Sequence, residues 1–99
     1  MVAVCAVAFK TIATWLADQT MYPLPEYQAF VEKIQAKVGE MVSEGKSDGW
    51  VDMVINNDGT ASSHRFWIDQ AAAQEFADFA TSMEYVGHTA TVTIEEVTG

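Results

Sequence analysis

Between Pro25 and Gly45 the apolar residues recur at helical spacing. Tyr27, Phe30, Val31, Ile34, Val38, Met41 and Val42 form one stripe, with Gln28, Glu32, Gln35 and Lys37 around it. Pro25 suits a first helical turn, Glu26 sits near the positive end of the dipole, and Gly45 is a natural stop. A second stripe, Ala72, Ala73, Phe76, Phe79, Ala80 and Met83, predicts a helix from Gln70 to about Glu84, N-capped by Asp69 and broken by Gly87. Elsewhere the period is two. His88 to Val97 alternates Ala90, Val92 and Ile94 with Thr89, Thr91, Thr93 and Glu95, as a half-buried strand does. Val2 to Phe9 is almost wholly apolar and partly β-branched, which predicts a strand buried on both faces. Past it the spacing is ambiguous, because Phe9, Ile12, Ala13 and Leu16 also fit a helix; the strand either runs on toward Trp15 or gives way to a helical turn. Pro23 and Pro25 make Asp18 to Pro25 a loop.

Two strand-like runs, Trp50 to Asn56 and Thr60 to Ile68, flank Asn57, Asp58 and Gly59 and predict a hairpin. Its register has two solutions. A two-residue Asp58-Gly59 turn sets Asp52 opposite Arg65 and Trp50 opposite Trp67. A type I turn over Asn56-Asn57-Asp58-Gly59 with a glycine bulge moves the pairing by one, to Asp52 with His64 and Trp50 with Phe66. Since strand side chains alternate, Phe66 and Trp67 point to opposite faces, and only one of them meets the helices.

The resulting order, strand-helix-strand-strand-helix-strand from Val2 to Val97, resembles the ferredoxin-like superfold. The resemblance lies in the hairpin around Asp58-Gly59 and the two helical stripes, with no residue motif of a particular family. It implies one α+β domain over residues 1–99: a four-stranded antiparallel sheet, order 4-1-3-2, with two helices on one face. It implies no activity, because the superfold hosts many. In its dimeric α+β barrel members, paired subunits enclose pockets that bind or oxidise small aromatic molecules.

Composition narrows the partners. Ninety-nine residues, 49% hydrophobic and 19% charged, suit a single soluble domain with its own core. Fourteen acidic residues against five basic ones leave a net charge of -9, which repels phosphate backbones and anionic membrane surfaces. Direct nucleic-acid and membrane binding are therefore not expected. The reverse use of the same sign, an acidic inhibitor that mimics nucleic acid toward a basic partner, needs clustered carboxylates, whereas these are spread along the chain. Cys5, the only cysteine, can form no intrachain disulfide, and beside Val4, Ala6 and Val7 it reads as a buried small hydrophobe. The apolar opening from Met1 to Phe9 lacks a basic leader region and is too short to span a bilayer, so it reads as structure, with the cytoplasm as default location.

Candidate chemistry is sparse. Counting Gly59 as the sixth residue of a calcium loop places Val54 first and Arg65 twelfth, where carboxylates are required, so the segment is a turn. Ser62 and Ser63 next to His64 lack a strained nucleophile turn, and two histidines with one cysteine make no zinc set. No cofactor or metal is implied, and no catalytic residue is assigned. What remains is Trp50, Asp52, His64, Arg65, Phe66 and Trp67, whose stacking and polar groups suit either a pocket or an interface. The leading expectation is a small homodimeric interaction or accessory protein without catalysis, joined through the open sheet face, with its small size and lack of a family motif pointing to a viral or other mobile-element origin. The alternative is a ligand-binding protein or cofactor-independent enzyme of the dimeric α+β barrel type.

Overall fold

The structure, a computed structural model, describes residues 9 to 97. The strand read over Val2 to Phe9, apart from Phe9 itself, and Cys5 lie outside the described residues. The first strand, β1 (Phe9–Leu16), is the stretch whose spacing fits both helix and strand. Hydrogen bonding to neighbours on both sides decides it, and period two then governs burial: Thr11 and Ala13 are buried, whereas Ile12 is not.

Helix α1 (Pro25–Ser43) begins on Pro25 and ends just before Gly45, which takes φ 79°. Its inner face is Tyr27, Phe30, Val38 and Met41, with Ile34 and Val31 half-buried; Val42, expected on the stripe, is exposed. Strands β2 (Val51–Ile55) and β3 (Thr60–Trp67) form the hairpin, and helix α2 (Gln70–Ser82) follows under its N-cap, with Asp69 Oδ1 accepting from Ala72 N–H at 2.8 Å. Ala72, Ala73, Phe76, Ala77 and Ala80 are its buried face, so the helix lies close on the sheet.

The end of α2 departs from the sequence reading. It stops at Ser82, because Glu84–Tyr85 (β4) pairs with His88–Thr89 (β5) across a turn whose central residues, Val86 and Gly87, have φ 51° and 77°. Two positive φ values in a row are the primed turn that matches strand twist, an unusual conformation for a β-branched residue. The Glu26 carboxylate accepts a hydrogen bond from Val86 N–H and ties this turn to the start of α1. Tyr85 is fully buried, its hydroxyl donates to the Leu16 carbonyl at 2.8 Å, and its ring stacks on Phe30 at 4.3 Å. Burial pushes its phenol up to about 12.

After Ala90 the last strand, β6 (Thr91–Glu96), returns to the main sheet, whose order is β2-β3-β1-β6 with every neighbour antiparallel. The expectation was 4-1-3-2; the small β4–β5 hairpin inserted before the final strand makes that strand the sixth in the chain. Both helices enter one buried cluster with inward sheet residues: Val38 and Met41 from α1, Ala73 and Phe76 from α2, Ala13 and Trp67 from β1 and β3. Lys37 and Lys46 each reach Glu75 at 2.8 Å, a clamp linking α1 and the loop after it to α2.

Candidate functional site

The hairpin register sorts the six candidate side chains onto two faces. Asp52 pairs with His64 and Val51 with Arg65, the register of the glycine-bulge solution, with Gly59 at φ 87° and Asn56 N–H donating to Thr60 at 2.9 Å. Trp50 accordingly meets Phe66, at 5.0 Å between ring centroids. Trp50, Asp52, His64 and Phe66 share the face away from the helices, while Arg65 and Trp67 point under them. No single site contains all six.

Trp67 is structural. It is fully buried, stacks on Phe76 at 4.9 Å, and satisfies its indole by donating to Thr11 Oγ1 at 2.9 Å. Arg65, on the same side, is the chain's only arginine, is 9% exposed, and its Nε finds no hydrogen-bond partner among the described residues. All fourteen Asp and Glu side chains are described, yet the ion pairs among these residues run through Lys37 and Lys46. The guanidinium carbon lies 5.9 Å from the Phe76 centroid, a cation–π contact worth about 1–2 kcal/mol at a desolvated position. Of the guanidinium nitrogens only Nε is both buried and without a partner among the described residues, and leaving such a donor unmade costs about 1–3 kcal/mol, comparable to what the contact contributes. Burial lowers the Arg65 pKa, but a guanidinium stays charged.

Two hollows share Arg65 as a wall. One is a void of about 80 Å³ between the helices and the sheet, where Phe30, Ile34 and Phe76 supply apolar surface and Ser63, Gln35 and Arg65 the polar groups. The other is an open groove of about 380 Å³ between α1 and β2, along Val38, Gly39, Val42, Gly49 and Val51. Gln35 and Arg65 line both, so the polar groups stand where the two meet. An arginine without a carboxylate, at the junction of an apolar void and an open groove, is equipped to hold an anion.

The open face has a different character. Its middle is polar: Ser62 lies 3.2 Å from Thr14 Oγ1 and accepts from Asn56 Nδ2 at 3.1 Å, an arrangement that fastens the turn. No hydrogen bond joins Ser62 to His64 among the described residues, and Ser63 lies on the opposite face, so the adjacent Ser-Ser-His run makes no nucleophile-base pair. Apolar exposure concentrates at the hairpin edge instead. Nine large apolar side chains are exposed among the described residues, and five of them, Trp50, Val51, Met53, Val54 and Ile55, fall in one run of six. Because β2 is the outer strand, its far backbone edge has no neighbour within the main sheet.

Sequence reasoning placed Arg65 among the candidates but missed that it lacks a partner, which depends on the fold around it. It also missed Gln35, whose only signal was a polar position on the flank of an apolar stripe. Among the described residues no three His, Cys, Asp or Glu side chains gather to hold a metal ion, and no helix is long and apolar enough to cross a membrane. Compared with known proteins, the chain matches no family model, no curated sequence and no solved structure.

Proposed function

We propose that this chain is a small homodimeric interaction protein of the cytoplasm, without chemistry of its own, that associates through β2 and the Trp50–Phe66 corner of the open face. The observation that carries the reading is four exposed apolar side chains on an edge strand, with Trp50 exposed just before it. An edge with unpaired N–H and C=O groups is a template for another strand, and apolar residues there favour occupation over solvent. Pairing with a second copy in antiparallel sense is self-complementary and closes on itself. Centred on Met53, such a pairing sets Val51 beside Ile55 of the second copy and keeps the two Asp52 carboxylates apart. The polar centre of the open face disfavours burial of the whole sheet, which moves the contact to the edge.

The ferredoxin-like plan belongs to the same reading. In this reading the β4–β5 hairpin is an insertion into the 4-1-3-2 plan, and the central placement of β1 and β3 in β2-β3-β1-β6 supports it. A net charge of -9 supports partners other than nucleic acid.

The test is solution mass. Light scattering over a dilution series is expected to return twice the 10.9 kDa of one chain. Val54→Lys places a charge on the edge without touching the core and is expected to return one chain mass. A wild-type monomer at every concentration refutes the dimer; a Val54→Lys dimer of unchanged strength removes β2 from it.

A further inference from the structure

Among the described residues one buried cation has no partner. Lys37 and Lys46 are satisfied by Glu75, with Glu40 and Glu44 nearby, whereas Arg65 is buried and, among the described residues, its Nε has no hydrogen-bond partner and the side chain meets no carboxylate. It stands with Gln35 where the solvent-open groove along α1 and β2 meets the void beneath the helices. We propose that this junction is a binding site for a small monoanionic amphiphile, a carboxylic acid with a short apolar tail, whose carboxylate sits on Arg65 and whose tail fills the void.

Each part of the ligand follows from a part of the site. The planar guanidinium fork matches a carboxylate and makes charge-assisted hydrogen bonds with it, which would satisfy the donor that is now orphaned. A single net charge is selected, because Arg65 is the one cation among the described residues that line the two hollows, and it has no second beside it to balance a phosphate dianion. Phe30, Ile34 and Phe76 offer the tail an apolar wall. The void of about 80 Å³ holds a short tail, on the order of two to three water volumes, and the groove supplies the route in and room for any excess length. Gln35 and Ser63 are the further polar groups lining the void, and they are placed to fix the head group. The site needs no second copy, although Val51 and Met53 of β2 line it as well as the proposed dimer edge.

Hexanoate and 1-hexanol are the probes, followed by amide chemical shifts of the full chain. Hexanoate is expected to give saturable shifts centred on Ile34–Gln35 and Ser63–Arg65, with an affinity about tenfold or more above that of the alcohol, the difference a charge-assisted hydrogen bond makes. Arg65→Gln is expected to weaken hexanoate by a similar factor and leave 1-hexanol unchanged. Equal affinities for acid and alcohol, shifts centred elsewhere, or no saturable shift with hexanoate overturn the proposal. Should Arg65→Gln fail to fold, the acid–alcohol comparison on the wild-type chain still decides it.

Discussion

β2 and β3 are the two strands of one hairpin, and their burial inverts their composition. β2 reads Val-Asp-Met-Val-Ile and is exposed at every position, Ile55 to 65%. β3 reads Thr-Ala-Ser-Ser-His-Arg-Phe-Trp and has five of its eight residues buried. The more polar strand is inside because it lies between β2 and β1, beneath the helices, whereas β2 is the rim of the sheet. Position in the sheet overrides hydrophobicity here, and among the described residues it leaves apolar surface exposed on β2 and a buried cation without an anion on β3.

The largest expected effect separates the two tryptophans that flank the hairpin. Trp67→Ala empties a fully buried site and strips Thr11 of its donor, and should destabilise the chain by about 3–5 kcal/mol in urea unfolding. Trp50→Ala, at a residue 46% exposed, should change stability by less than about 1 kcal/mol. Comparable losses from both would mean that β2 is covered as well as β3 within one chain, and the contrast between the strands would collapse.

The second effect has the opposite sign. Arg65→Met, measured by the same unfolding without added ligand, should stabilise the chain by up to roughly 3 kcal/mol, because it removes a buried charge with an unmade donor and orphans no partner. Loss of the Phe76 contact, about 1–2 kcal/mol, offsets part of that gain. Marked destabilisation would show that the guanidinium is satisfied, and that β3 carries a completed interior.

The smallest effect concerns the clamp that holds the helices over β3. Hydrogen bonds from Lys37 and then Lys46 draw the Glu75 carboxyl from an ordinary 4.5 down to about 2 and raise the pKa of both lysines. A depressed folded-state pKa contributes stability above the unfolded value that is lost as pH falls through the folded one. The stability advantage of wild type over Glu75→Gln should therefore be constant above about pH 5 and shrink between about 4.5 and 2. A difference that does not change across that window would remove Glu75 from the clamp. All three groups are partly open to water, so the effect is modest.

Much of the fold is legible in the chain itself. The α1 stripe, the Pro25 start, the Asp69 cap and the alternation of Ala90, Val92 and Ile94 are local signals, and the structure uses each. The hairpin is legible too, though its register is not, because Asn56-Asn57-Asp58-Gly59 satisfies two turn geometries and nothing local chooses between them. The β4–β5 hairpin escaped because Val86 is a poor residue for a positive φ. Burial of Tyr85 and the Glu26 carboxylate on Val86 N–H hold it there, and both are long-range contacts.

Of the candidate site, the sequence named the residue types and not the partition. Trp50, Asp52, His64, Arg65, Phe66 and Trp67 are all on or beside the hairpin, as read; alternation separates Arg65 and Trp67 from His64 and Phe66, and the one-residue choice of register is what puts Trp50 and Asp52 with the outward pair. Periodicity and caps are properties of neighbours along the chain and net charge is a property of its composition, so the sequence alone determined two amphipathic helices, a hairpin and a net charge of -9. Which strand forms the rim, and which cation is left without a carboxylate, depend on groups far apart in sequence, and only tertiary packing brings those together or keeps them apart.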